Sequence, residues 1–238
     1  MNNLIICIGK CGANIVNDIS DTTKLSEWQI IYYDKQSLNL LELLHSNYIN
    51  IYIFCGLGGN MSNDYISDVI RVCRPLTINF LCFCTIPFAI EGKNRNAKAK
   101  DTLAKICEVA DIVVVQQNDN LPGANNLSQI NDPIATAAIA SISQSHKPLF
   151  YALFAIIDTT NINTGLKPYI STDFIDIVVN ENRLKNIVSE ALGVDKNISS
   201  PDGVRNTIQE IWSDYRNGKQ GYSKIYEVHF STDKSKTE

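Results

Sequence analysis

Asn3-Leu4-Ile5-Ile6-Cys7-Ile8-Gly9-Lys10-Cys11-Gly12-Ala13-Asn14 opens the chain's regular structure. Its first six residues are apolar without alternation, as in a parallel strand covered on both faces. Two glycines follow at once, and residues 12–20 take on helical spacing. Strand, glycine turn and helix in immediate succession is the start of a β-α-β unit. The pattern then repeats. Short apolar runs at 28–33, 50–55, 77–84 and 111–116 read as strands, and 36–45, 63–73 and 94–109 as the helices between them. In the last helix Ala97, Ala99, Leu103, Ile106 and Cys107 form one apolar stripe, while Lys98, Lys100, Asp101 and Lys105 lie on the polar side. The expected class is α/β: a Rossmann-like, doubly wound, mostly parallel sheet with a central helix and a truncated C-terminal part.

The chain has 238 residues, 45% of them hydrophobic and 19% charged. That is enough apolar material for one core and excludes wholesale disorder. The formal charge of −4 argues against a dedicated nucleic-acid binder. No apolar run is long enough for a membrane span. The N-terminus reads as a buried strand and not as a signal peptide, so a cytoplasmic setting is expected. All seven cysteines fall before residue 108, mostly in apolar runs. They read as reduced structural thiols, with no metal site. Cys82 and Cys84 are assigned to opposite faces of their strand.

Asp132-Pro133 is expected to open a buried helix, with Asp132 as N-cap and Pro133 in the first turn. It should run, bent at Pro148, to about Thr160. A further helix is expected from near Asp173 to about Leu192. Beyond it come an amphipathic helix (about 202–216) and a strand-like YSKIYEVHF. The organisation expected is 1–131 as a nucleotide-binding domain, 132–194 as a central helix and the region that follows it, and 195–238 as a short extension.

The turn Gly9-Lys10-Cys11-Gly12 lies at a strand's carboxyl end, where backbone N–H groups and a helix N-terminus favour phosphate. A second glycine cluster, Gly56-Leu57-Gly58-Gly59-Asn60-Met61-Ser62-Asn63-Asp64, follows the third strand. Two such turns at one sheet edge suit a di- or triphosphate. Asp34, ending the second strand, suits a ribose hydroxyl or, equally, a helix N-cap. His45, His146 and His229 are scattered and form no catalytic pattern.

Thr85-Ile86-Pro87-Phe88-Ala89-Ile90-Glu91-Gly92-Lys93-Asn94-Arg95, the helix after it, and Asn118-Asp119-Asn120-Leu121 resemble the tubulin homologue family FtsZ. In that family a PF-x-FEG-x-x-R stretch leads through a helix and a strand to a PND-x-L loop. Gly56–Asp64 occupies the place of the tubulin signature GGGTGTG, and Asp173-Phe174-Ile175-Asp176 resembles part of the family's catalytic loop. The resemblance implies a GTP or GDP ligand, with or without magnesium. It implies nucleotide contacts from Gly9, Lys10, Cys11, Gly12, Asn14, Asp34, Gly56, Gly58, Gly59, Asn60, Ser62, Glu91, Arg95 and Asn118. Asp173 and Asp176 would orient water in a neighbouring subunit's site, so self-association or an FtsZ-like partner is implied.

The departures point to weak or absent hydrolysis. The signature loop keeps only Gly58-Gly59 of its glycines. Asp64 would bring negative charge toward the phosphates. Residues 35–55 leave no room for the loop that senses the terminal phosphate. Ser171 stands where the catalytic loop has Asn, and the segment after residue 180 is too short for the family's second domain. The alternative expectation is a degenerate, non-catalytic FtsZ-like protein that regulates or caps an intact relative. An unrelated dinucleotide enzyme is disfavoured because GKCGAN lacks the full GxGxxG.

Overall fold

The structure is a computed structural model that describes residues 3–33, 48–121, 127–147, 149–161, 175–180 and 228–231. Seven strands form one sheet in the order β2-β1-β3-β4-β5-β6-β7. They are β1 (Asn3–Ile8), β2 (Trp28–Tyr33), β3 (Tyr48–Gly56), β4 (Thr77–Ile86), β5 (Ile112–Gln117), β6 (Ile175–Asn180) and β7 (Val228–Ser231). The first five are parallel; β6 runs antiparallel to β5, and β7 parallel to β6. The chain leaves β1 to one side for β2 and returns on the other for β3. The switch point of the sheet is therefore the gap between β1 and β3, and the crevice beyond their carboxyl ends is where such a fold receives a ligand.

Five helices are described: α1 (Gly9–Ser20), α2 (Asn60–Cys73), α3 (Lys93–Val109), α4 (Leu127–Ile142) and α5 (Leu149–Asn161). Strand alternation sends Ile5, Cys7, Tyr52, Phe54, Leu81 and Phe83 to one face, against α1, α4 and α5. Leu4, Ile6, Ile8, Ile51, Ile53, Phe80 and Cys82 go to the other, against α2 and α3. Burial on both faces is why these strands read as unbroken apolar runs. On the first face Phe54 stacks on Phe83 at 5.1 Å, and Trp28 meets Tyr52 edge-on at 4.8 Å.

A polar ladder crosses the amino ends of three strands. Asn3, Asn50 and Asn79 are in register. Asn50 Nδ2 donates to Asn3 Oδ1 (2.9 Å) and to the Ser145 carbonyl (2.8 Å), and Asn79 Nδ2 donates to Asn50 Oδ1 (2.9 Å). Nearby, the buried Asp111 pairs with Arg74 (3.0 Å) and accepts from the Phe80 N–H (2.8 Å). A one-residue slip would break every one of these bonds and also turn the strand faces inside out.

Four expectations need correction. Residues 175–180 are a strand, not part of a helix: the alternation of IDIVVN fits a strand with one buried face. The long helix from Asp132 begins earlier, at Leu127, with Pro133 inside it. It ends at Ile142, and α5 starts afresh at Leu149, because residues 143–147 form turns tightened by i to i−3 bonds. Cys82 and Cys84 share one face and are hydrogen-bonded to each other, as residues two apart on a strand must be when the pleat repeats every two. No group of three or more metal-ligating side chains occurs among the described residues. No helix among them is long and apolar enough to cross a membrane. Asp34, the helix at 36–45, Asp173 and the elements expected between 181 and 227 lie outside the described residues.

Two outcomes follow from this packing. Asn50→Leu strands the buried amides of Asn3 and Asn79 and should cost roughly 2–4 kcal/mol in chemical denaturation; a loss under about 1 kcal/mol would show that the ladder does not pin the register. Burial pushes the thiols of Cys7 and Cys73 up to about 12 and that of Cys107 up to about 11, from 9.0. The folded chain holds these protons more tightly than the unfolded one. The stability they contribute is complete below pH 9.0 and is lost as pH rises toward those values. Equilibrium unfolding should therefore show a midpoint that falls above about pH 9.

Candidate functional site

Gly9, at φ 68°, lets β1 pass straight into α1 without a connecting loop. That is why the helix begins three residues before its periodicity shows in the sequence. Gly12 then lies so close to β3 that a Cβ there would run into the Phe54 carbonyl oxygen. Gly56, ending β3, faces Cys11 so closely that its Cβ would stand 2.8 Å from Cys11 Cβ. The two glycine turns thus touch, and α1 is seated against the end of β3.

The second turn is fixed from β4 and α3. Leu57 N donates to the Thr85 carbonyl (2.9 Å). Gly58 has φ 77°, and a Cβ there would meet the Arg95 carbonyl at 2.5 Å. Gly59 caps the N-terminus of α2 with no side-chain bond. The stretch after β4 is held by three side chains. Glu91 Oε1 accepts from the Phe88 N–H (2.9 Å), Asn96 Nδ2 donates to the Phe88 carbonyl (3.1 Å), and the Asp119 carboxylate accepts from the Ala89 N–H (2.9 and 3.0 Å). Glu91 Oε2 also pairs with Arg95 Nη1 at 2.9 Å.

These elements enclose a cleft of about 390 Å³ at the carboxyl edge of the sheet. Of the residues singled out in the sequence, Gly9, Lys10, Cys11, Gly56, Gly59, Asn60, Glu91, Arg95 and Asn118 line it. Gly12 serves the contact between α1 and β3 and does not line the cleft. Gly58 lines an adjoining polar hollow with Lys93, Arg95 and Lys98. Asn14 is half-buried in α1 and lines neither. Ser62 falls in α2, where its side chain is not described. Asp64 is exposed on α2 and lines neither hollow, so the repulsion expected from it is not directed into the cleft. Asp176 sits in β6 and accepts from Gln117 Nε2 at 3.0 Å.

Ile8, Leu57, Thr85, Pro87, Phe88, Ile130 and Asn131 also line the cleft. Phe88 lay within the quoted motif. Thr85 and Pro87 lay there too, though neither was marked as a contact, while Asn131 belongs to a helix whose start was misplaced and carried no sequence signal. Cys11 Sγ lies 3.5 Å from Thr85 Oγ1, and its pKa is raised, chiefly by burial, so the thiol is a neutral wall.

The electrostatics favour an anion. The N-termini of α1 and α2 both open on the cleft, and α3 starts beside it. None of the three is capped by a side chain, and none carries an acid in its first turn. Their dipoles present positive charge to the hollow. Lys10 and Arg95 add to it, and the single lining carboxylate, Glu91, is paired. Mouth and interior differ in kind: the walls are mostly apolar, while two amides, Asn118 and Asn131, are buried at the floor.

No family model matches the chain. Cell division protein FtsZ 1 of Archaeoglobus fulgidus is 34% identical to it over 71 residues, 30% of this chain and 19% of that protein. Cell division protein FtsZ of Methanothermobacter thermautotrophicus is 28% identical over 101 residues, 40% of this chain and 26% of that protein. The matched stretches thus span between a fifth and about a quarter of these relatives' length. Among solved structures, an empty FtsZ dimer from M. jannaschii aligns at a TM-score of 0.52 and 14% identity, over 61% of this chain and 55% of that one. Over these stretches the chain is similar in sequence to FtsZ, and its fold is FtsZ-like.

Two glycines test the geometry against each other. Gly58 and Gly92 both have positive φ, but a Cβ on Gly92 meets nothing within 4 Å. Gly92→Ala should lose only the conformational term, about 1 kcal/mol. Gly58→Ala should lose clearly more in thermal unfolding, because the Arg95 carbonyl has to move. Equal losses would show that the approach of α3 to the second turn is not as described.

Proposed function

We propose that the cleft binds a guanine nucleotide, with its phosphates on the N–H groups of the Gly9–Cys11 and Gly59–Asn60 turns. The observation that carries this reading is the contact between the two turns, which brings two uncapped helix N-termini to one hollow at the switch point of the sheet. The likeness to FtsZ supplies the guanosine and a setting in cell division or a cytoskeleton. In this reading Lys10 and Arg95 contribute charge, Glu91 positions Arg95, Asp34 and Ser62 keep their assignments from the resemblance, and Asn14, which lines neither hollow, does not. Localisation in the cytoplasm and assembly into filaments through copies of the chain belong to the same reading.

Hydrolysis is read as weak or absent. Asp173 and Asp176 are the residues the resemblance makes catalytic in a neighbouring subunit. Asp176, however, is engaged by Gln117 within its own sheet. That observation favours the second reading, a non-catalytic FtsZ-like protein that regulates or caps an intact relative.

Calorimetric titration with GDP and GTP should show binding of both to the purified protein. Asn60→Asp places a carboxylate in the first turn of α2. It should weaken binding at least about tenfold through like-charge repulsion, while the helix dipole leaves stability unchanged or raised. No binding by the unmodified protein, or equal binding by Asn60→Asp, would sink the proposal. Phosphate release from GTP should stay near background and be unaffected by Asp176→Asn; rapid release lost in that variant would restore the catalytic assignment.

A further inference from the structure

Gln116 is fully buried at the end of β5, and all of its amide hydrogen-bonding groups are engaged. Its Oε1 accepts from the Ile134 N–H (3.2 Å), and its Nε2 donates to the Ile130 carbonyl (2.7 Å) and to Asn118 Oδ1 (3.0 Å). Ile130 and Ile134 are the i and i+4 groups of α4 on either side of Pro133. The side chain is thus inserted between a carbonyl and an N–H that would otherwise pair with each other, in the turn that contains Pro133.

The same bonds settle a chemical question. A backbone N–H can only donate and a backbone carbonyl can only accept, so Gln116 has one permitted orientation. Its Nε2 therefore points at Asn118, which must answer with Oδ1. What Asn118 has left to offer the cleft it lines is the donor Nδ2. Asn131 is fixed by the same logic. Its Nδ2 donates to Asp18 Oδ2 (3.0 Å), an acceptor, and so Oδ1 is what remains for the cleft. Asn118 follows β5, two strand spacings from β3 and three from β1, which is roughly 10 and 14 Å from the two glycine turns. At those distances the amides stand where the base of a nucleotide would lie, and not its phosphates.

We propose that Gln116 is the positioning residue that sets the base preference of this cleft: by fixing Asn118 as a donor, it selects a purine with a carbonyl oxygen at position 6 over one with an amino group there. The proposal rests on the nucleotide reading above and adds the residue that enforces the discrimination. A 6-oxo group accepts from Asn118 Nδ2, and the neighbouring ring N–H finds an acceptor in Asn131 Oδ1. A 6-amino group meets donor with donor, and Asn118 cannot turn to relieve this without breaking its bond to Gln116. Gln116 touches no ligand itself; it acts through Asn118 and through the seating of Ile130 and Asn131 on α4.

The test is a calorimetric comparison of GDP with ADP for the unmodified protein, Gln116→Met and Asn118→Asp. The unmodified protein should prefer GDP at least about tenfold, the scale set by one mismatched buried donor. Gln116→Met removes the amide but keeps the length, and it leaves the Ile130 carbonyl and Ile134 N–H to pair with each other. It should bring the GDP-to-ADP ratio down by about tenfold while the ligand-free protein still unfolds cooperatively. Asn118→Asp offers only acceptors and should move the ratio toward ADP. If Gln116→Met does not fold, Asn118→Asp decides by itself. Selective GDP binding with an unchanged ratio in the variants would overturn this inference alone, as would equal binding of GDP and ADP by the unmodified protein. Binding of neither nucleotide would overturn the nucleotide reading and this inference with it.

Discussion

The approach of Gly12 to the Phe54 carbonyl governs the upper half of the molecule. A helix that follows its strand without a loop must cross the neighbouring strand at short range, and only a residue without a side chain allows that crossing here. Once α1 is seated against the end of β3, Cys11 is brought to Gly56, and the first turn meets the second. Leu57 then reaches the Thr85 carbonyl, and Gly58 reaches the Arg95 carbonyl. A larger residue at position 12 would lift the helix, and the hollow at the switch point would open into a groove with no common focus for its N–H groups.

The opposite edge of the sheet holds the register that makes this meeting possible. The two turns are level only because β1 and β3 are level. Apolar side chains set that register modulo two at best, since Ile, Leu and Val resist a slip in only a general way. The in-register amides of Asn3, Asn50 and Asn79 make the choice discrete. The Asn50 bond to the Ser145 carbonyl ties the same level to the turn between α4 and α5. Polar residues buried where the core is most apolar thus contribute less to bulk stability than to alignment.

Much of the fold was legible in the sequence because local pattern and tertiary role agree there. Residues 3–8 and 28–33 become strands with those bounds, and residues 94–109 become a helix one residue longer. The glycine turns were legible too, since positive φ at Gly9 and close approach at Gly12 and Gly56 each demand glycine. What could not be read depends on partners distant in sequence. Asp132-Pro133 has the form of a helix start, and locally that reading is sound; the helix begins one turn earlier, at Leu127, where Gln116 of β5 bonds to Ile130 and Ile134. IDIVVN was drawn toward a helix by its acids and by the resemblance, although its period of two was visible. Asn131 enters the cleft through the course of α4, which leaves no mark in its own neighbourhood, whereas Thr85 opens the quoted motif and enters through the register of β4.

The chain is acidic overall, and its cleft is nonetheless a place for an anion. Net charge is distributed over the whole surface and screened within roughly 8–10 Å at ordinary ionic strength, so it contributes little inside a recess. Fixed local dipoles dominate there. Three helices begin around the hollow with neither a capping side chain nor an acid in the first turn. A helix start left in that state lacks the stabilisation that Ser, Asp or Asn at the N-cap would give, roughly 1 kcal/mol at Ile8 and a few tenths at Gly59 and Gly92. One such omission is ordinary. Two of the three open on the cleft and the third on the hollow beside it, so their dipoles add at one end of the sheet, and the pairing of Glu91 with Arg95 offsets the carboxylate that lines the cleft.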